Sequence, residues 1–359
     1  MCVPRFTTFI PPLSSFILSM RPSFFHHLHP PTIPAAQARW RHTLGAGGTA
    51  VFLMLILGVT GILEMFYYVP NPAEAALSVQ MITYHVPFGG FIRNLHYWSA
   101  QALIVVSGVH FLRVIFTAAY GRPRRFNYLL GLALFVLSLM LNFTGYILRW
   151  DVDICWPLVT GTNLLKTIPL AGNFLYRIAV GGGEACETAL LRFYTWHIFA
   201  LTLPVVVLGV WHAFRVRRDG GIAAPPPSAR QDTARLPRNE LVRREVLMMF
   251  VVGILLILLA NFFPAPIAAA MTGKPSLTAE ARAPWFFLWV QQLLKWGDPF
   301  LFGVLIPSGI LIILALIPYI FPQPAERDIG RWFPKSNRWA QAVAAAISGV
   351  ILVLTLMNG

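Results

Sequence analysis

Residues 93–116, RNLHYWSAQALIVVSGVHFLRVIF, decide the fold, and residues 194–215, YTWHIFALTLPVVVLGVWHAFR, are their counterpart. Each is an apolar run with a histidine towards either end: His96 and His110 on the first, His197 and His212 on the second. A helix advances about 1.5 Å and 100° per residue, so a gap of 14 returns to nearly the same face about 21 Å along the axis. Two histidines on one helix thus serve two sites stacked through a membrane. The gap of 15 on the second helix adds a turn of about 60°, still compatible with a common interior. Set face to face, the helices supply two bis-histidine sets, and imidazole is the usual axial ligand of a low-spin b-type haem. Four unrelated core histidines are the competing reading. Unpaired polar groups are costly in hydrocarbon, however, and intramembrane ionisable residues are functional by default. His96, His110, His197 and His212 are therefore the expected iron ligands.

The 359-residue chain is 57% apolar and 12% charged, with a mean hydropathy of +0.64. Apolar runs near 48–68, 94–116, 128–148, 196–214, 247–264, 301–320 and 339–357 predict seven spanning helices. The fold class is an all-α integral membrane protein, a four-helix haem-binding bundle followed by a three-helix unit. The shorter run near 283–294, closed by Lys295 and Asp298, reads as an interfacial helix. Residues 1–46 form an N-terminal cytoplasmic or interfacial segment, 47–219 the di-haem domain, 220–245 a Pro-, Gly- and Arg-rich cytoplasmic linker, and 246–359 the last unit. Within 1–20, Pro4, Pro11 and Pro12 suit neither a spanning helix nor a signal peptide.

Arginines test this topology. Arg39, Arg41, Arg122, Arg124, Arg125, Arg217, Arg218, Arg243, Arg244, Arg327 and Arg331 fall on one side, while the opposite loops mix basic residues with acids. By the positive-inside rule the first side is cytoplasmic, so the N-terminus lies there and the C-terminus lies opposite, in an inner membrane. The net charge of +14 then reports topology and lipid contact. No basic groove interleaved with aromatics accompanies it, which excludes a nucleic-acid partner.

Gly47 and Gly61 on the first helix, and Gly131 and Gly145 on the third, repeat the 14-residue spacing of His96 and His110. A missing side chain at each haem level lets flat porphyrins sit between helices, although glycine also serves plain helix packing. Arg93, Arg113 and Arg217 lie near the ends of the histidine helices, where they would neutralise haem propionates. The loop 149–193 suits two short interfacial helices, and its Cys155 and Cys186 are placed either to pair or to remain free thiols. No CxxCH pattern for covalent haem is present. The last unit has no histidine. Its distinctive stretch, Ala283-Pro284-Trp285-Phe286-Phe287-Leu288, suits a pocket for a quinone ring, with aromatic anchoring at the interface as the alternative.

LGAGGTAVF, FYYVPNPAEAALSVQ, IRNLHYWSAQ, HFLRV, GRPRRFNYLLG, TGYILRWD and LRFYTWHIF together resemble the cytochrome b family of quinol-oxidising cytochrome bc complexes. Over about 40–219 the chain is more similar to the b6f-type four-helix cytochrome, and 246–357 resemble the separate three-helix subunit of those complexes. The resemblance implies that His96 and His197 ligate an outer haem, and His110 and His212 an inner one. It implies quinol oxidation outside, at Tyr146, Trp150, Asp151, Pro284, Trp285 and Phe286. One electron would go to a Rieske iron-sulfur protein, then to cytochrome c or another high-potential acceptor, and one to the outer haem. Quinone would be reduced near Arg217 and Asp219, with proton translocation, in a dimeric complex. The family's Pro-Glu-Trp-Tyr motif departs here, since Pro284 precedes Trp285 and the glutamate is missing. Glu280, Asp298, another group or water would replace it, and menaquinone is the quinone that this departure suggests. The covalent extra haem of b6f-type proteins has no cysteine near Gly45, which leaves only a noncovalent third haem there. The competing function is a di-haem membrane anchor exchanging electrons between quinone and a different dehydrogenase or reductase.

Overall fold

A computed structural model describes residues 30–183, 185–225, 234–271 and 282–358. Residues 1–20, the histidines at 26, 27 and 29, and Glu280 lie outside the described residues. Among the described residues seven helices are long and apolar enough to cross a membrane, as the sequence predicts.

Helix α1 (Ala46–Met65) begins after Leu44 and Gly45, both left-handed, and stops ahead of Pro70 and Pro72. A short helix α2 (Ala75–Tyr84), which the hydropathy reading misses, leads into α3 (Gly89–Phe116), the long helix of His96 and His110. Helix α4 (Arg125–Ile147) returns across the bundle. The expected pair of short helices follows as α5 (Cys155–Lys166) and α6 (Gly172–Val180). The fourth span is built from α7 (Ala185–Thr195), a π-helical turn (Trp196–Ala200) and α8 (Thr202–Arg218). Cys155 and Cys186 are joined in a disulfide that ties α5 to α7.

Helix α9 (Arg238–Phe262) starts inside the stretch that the sequence reads as linker, directly after Pro237. Its apolar run begins only later, which is why hydropathy places the start near 247. Strand β1 (Thr32–Pro34) pairs antiparallel with β2 (Arg235–Pro237), so the segment before the first span is stitched to the start of the fifth. The short α10 (Leu288–Leu294), preceded by a 3-10 turn at Trp285–Phe287, forms where the sequence expects a short interfacial helix. A π turn (Leu301–Leu305) with α11 (Ile306–Ile320), and then α12 (Arg338–Met357), complete the seven.

Lipid tails are as apolar as leucine, so close packing and polar bonds between helices hold such a bundle together. Helix α1 lies along α3, α4 along α8, and α9 covers α1 and α3, with Leu53, Leu103 and Leu256 buried where these three meet. The polar bonds converge on α3. Asn94 donates to the Ala260 carbonyl at 2.9 Å and accepts from Ala265 N–H at 2.9 Å, while Trp98 Nε1 donates to Phe263 O at 2.7 Å. Arg93 donates to the carbonyls of Ala265 and Pro266. At the opposite end, Asn337 donates to Ile115 O at 2.7 Å and accepts from the Tyr120 hydroxyl. Burial pushes that hydroxyl up to about 12, so it stays a donor. The last unit is therefore bolted to the histidine helix at both ends.

Replacing Asn337 by alanine leaves the buried Tyr120 hydroxyl and Ile115 carbonyl without partners. A loss of roughly 2 kcal/mol is expected, read as a lower thermal midpoint of the detergent-solubilised protein; an unchanged midpoint would contradict the bolt.

Candidate functional site

The four histidines meet in two pairs. The rings of His96 and His197 have centroids 6.4 Å apart, and those of His110 and His212 are 6.5 Å apart. Two metal–nitrogen bonds of about 2 Å, each ending on a ring whose centre lies roughly 1 Å further back, put axial imidazole centres about 6 Å apart. Both pairs thus have the separation that one iron between them requires. The planes of the rings are inclined by 63° and 82°.

The equal separations need an explanation, because the 15-residue gap on the second helix predicts an offset of about 60°. The π turn at Trp196–Ala200 removes it. Leu201 N–H bonds back five residues to Trp196 O at 2.9 Å, and Thr202 Oγ1 donates to His197 O at 2.5 Å. A π turn takes in one extra residue without advancing the phase, so a gap of 15 behaves as one of 14. Pro204, which has no N–H for the helix ladder, is the sequence signal for this irregularity.

Each predicted glycine lies against one imidazole. A Cβ built on Gly61 would meet His96 Cε1 at 3.2 Å, on Gly145 His197 Cε1 at 2.7 Å, on Gly131 His212 Cε1 at 3.3 Å, and on Gly47 His110 Cε1 at 3.6 Å. The glycines therefore make room for the rings of the histidines themselves. Beside two of them stands a threonine that the sequence reading misses. Thr60 Oγ1 donates to Ile56 O at 2.7 Å and lies 2.8 Å from His96 Nδ1. Thr144 Oγ1 donates to Met140 O at 3.0 Å and lies 3.1 Å from His197 Nδ1, which also faces Leu141 O at 3.1 Å. Hydroxyls that have spent their protons, and a carbonyl, can only accept. Nδ1 then carries the hydrogen and Nε2 keeps the lone pair that binds metal. The repeated Thr-Gly dipeptide, 60–61 and 144–145, is the signal that would have found them. At the other level Nδ1 of His110 and Nδ1 of His212 are both buried without a hydrogen bond.

Arg93 and Arg113 lie one turn from His96 and His110 and are nearly buried. Their guanidinium groups hold the Ala265 and Pro266 carbonyls and, at 2.7 Å, the Ala223 carbonyl. Arg217 sits in the field of Glu245 and Arg238. Asp219 pairs with Arg215 at 3.0 Å, a partner that the sequence reading also misses.

At the His96 end an aromatic cluster brings α4, α5 and the 284–287 turn together. Phe143 packs its ring against Phe287 at 5.8 Å and Phe193 at 6.1 Å, and its edge approaches Gly161 of α5. Pro284 precedes the 3-10 turn, Phe286 is buried beneath it, and Trp285 is 43% exposed with Nε1 donating to Gln101 Oε1 at 2.7 Å. Gln101 lies between the two histidines of α3, so the turn is referenced directly to the ligand helix. Tyr146 is partly buried, with the Arg149 guanidinium 5.4 Å from its ring centre. Trp150 and Asp151 are each 1% exposed and face inward. Trp150 fills the core formed by Ile147, Ile154, Leu158 and Leu190, while Asp151 takes two bonds from Arg149, at 2.5 and 2.8 Å, and one from Ala268 N–H at 3.2 Å. Asp298 is spent capping the Leu301 N–H at 2.8 Å.

The family described as "Cytochrome b(N-terminal)/b6/petB" matches residues 101–270. Cytochrome b6 of Heliomicrobium gestii is 39% identical over 183 residues, covering 50% of this chain and 86% of that protein. The chain belongs to the cytochrome b family. The "Menaquinol:cytochrome c reductase cytochrome b subunit" of Geobacillus thermodenitrificans is 33% identical over 175 residues, 48% of this chain and 78% of that one. A solved "Hyperthermophilic respiratory Complex III" chain shares the fold with a TM-score of 0.69 at 19% identity, over 88% of this chain and 91% of its own. Membership in this family implies b-type haem and quinone binding. The residues fit two haems: paired rings at the right separation, fixed tautomers at one pair, and glycine at every ring edge. Near Gly45, where the sequence leaves room for a noncovalent third haem, Met248 Cγ stands 3.2 Å from a Cβ on Gly45, and the Glu245 carboxyl 3.6 Å from one on Gly48.

Gly145→Ala puts a methyl 2.7 Å from His197 Cε1, whereas Gly58 has nothing within 4 Å. The first variant is expected to lose haem, measured by pyridine haemochrome, and Gly58→Ala to retain the wild-type content. Equal content in the two would contradict the packing argument.

Proposed function

We propose that this cytochrome b is the haem-bearing subunit of a quinol-oxidising complex that sends one quinol electron to a Rieske iron-sulfur protein and the other through two transmembrane haems, with proton translocation. The observation that carries it is the pair of histidine couples at 6.4 and 6.5 Å, a 14-residue helical repeat apart on α3. Bound there, two noncovalent b-type haems would supply one-electron storage at two depths of the membrane.

The chain's own residues do the rest. Nε2 of His96, His197, His110 and His212 would ligate the irons, and Thr60 and Thr144 hold the first two rings in the ligating tautomer. Arg93 and Arg113 place positive charge where propionates would emerge, and Arg217 adds charge at the His110 end. Tyr146, Pro284, Trp285 and Phe286 would line the quinol cleft, with Phe143 and Phe287 as its floor. Trp150 and Asp151 act as positioning residues that hold the loop after α4. Quinone would be reduced near Arg217, Asp219 and Glu245. The arginine distribution supports a cytoplasmic location for that end and for the N-terminus, with the C-terminus on the outer side of the inner membrane. Cytochrome c or another high-potential acceptor, a second copy of the complex and lipids complete the partners. Menaquinone is the quinone proposed, in line with the Geobacillus relative's name.

A redox titration of the purified complex should resolve two α-band components of different potential. His96→Ala should abolish one and leave the His110–His212 component; survival of both would refute the pairing, and one component in the wild type would refute the two-haem reading. A Rieske protein in the purified complex supports the bifurcating role, and a multihaem or molybdenum subunit in its place would support the membrane-anchor alternative.

A further inference from the structure

Three acids lie within the described spans. Glu240 and Glu245 sit at the start of α9 among Arg238, Arg243 and Arg244. Glu64 is different: it stands near the His96 end of α1, and its Oε1 is buried with no hydrogen-bond partner. It lies four residues beyond Thr60, which touches His96 Nδ1 at 2.8 Å, so it shares a helical face with that contact one turn nearer the surface.

The charge facing it is Arg93, on the neighbouring α3. Arg93 cannot swing to meet the carboxyl, because its two terminal nitrogens are engaged by the Ala265 and Pro266 carbonyls. The other groups around Arg93 are Arg149, Asp151 and Tyr84, with Tyr97 also within its field. The end of α9 that covers this corner, ILLILLANFFPAP (254–266), has no ionisable side chain. Glu64 is thus a carboxyl with one oxygen buried and unpartnered, held beside a fixed cation, one turn from a ligand contact. None of the roles proposed above uses it.

We propose that Glu64 is the proton site coupled to the electron held at the His96–His197 pair. It takes up one proton when one electron from quinol arrives there, and releases it when that electron leaves. Charge balances in each direction: the electron adds one negative charge, and conversion of the carboxylate to the carboxylic acid cancels it. The physical cause is the low dielectric, in which an added negative charge makes a neighbouring buried carboxylate more expensive to keep ionised. This inference rests on the two-haem reading.

The test is potentiometric titration of both α-band components in the purified complex at a series of pH values. In the wild type the His96–His197 component should fall in potential as pH rises, with a one-proton, one-electron slope over the window where Glu64 titrates. Glu64→Gln should flatten that slope, raise the potential at alkaline pH, and leave the His110–His212 component unchanged. Redox-difference infrared spectra should lose a protonated-carboxyl band that appears on reduction. A slope and band that persist in Glu64→Gln overturn the proposal. If that variant loses the haem, Glu64→Asp decides: a displaced pH window supports the proposal, and an unmoved one overturns it. A wild type without two haems would instead sink the reading on which this rests.

Discussion

Everything in this bundle depends on four imidazoles standing inside hydrocarbon at two fixed separations. An imidazole there needs a partner for each ring nitrogen. At the His96–His197 level Nδ1 is satisfied by threonine, which leaves Nε2 as the ligating nitrogen in a ring pair whose separation suits one iron. The rest of the fold serves that gap. Glycines on α1 and α4 bring the flanking backbones up to the ring edges, a π turn restores the phase of the fourth span, and polar bonds from α9 and α12 fix α3 in place.

The two levels are built differently. Threonine hydroxyls grip the rings at one, and Thr60, Thr144 and Leu141 O leave them little rotational freedom. At the other, His110 Nδ1 has no hydrogen bond, and the surroundings are the charged end of the bundle, with Arg113, Arg215, Asp219 and Glu245. Ligand basicity and local field both tune an iron's potential. On the proposed two-haem reading, two sites of one ligand type need not share one potential, and such a difference would direct an electron from one to the other.

Much of this was legible in the sequence because it is periodic. Seven apolar runs, histidines 14 apart and glycines at the same interval survive translation into three dimensions, since helix geometry is nearly invariant. What escaped reading is what breaks the period or lies across it. The π turn at Trp196–Ala200 made a spacing of 15 look offset when it is not. The start of α9 at Arg238 was hidden because charged helical residues score as linker. Trp150 and Asp151 carry chemistry-bearing side chains, yet they face a core and a loop, and only burial reveals that. The bond from Trp285 to Gln101 joins residues 184 positions apart, beyond the reach of any local pattern.

The most direct test of the paired-histidine account is electron paramagnetic resonance of the oxidised, purified protein. Imidazole planes inclined by 63° and 82° would leave the iron d orbitals of a haem held between them close in energy. The account predicts two low-spin signals of the highly anisotropic type, each with one large g value, in equal amounts and without high-spin iron. A high-spin ferric signal, or a single low-spin signal per chain, would contradict it.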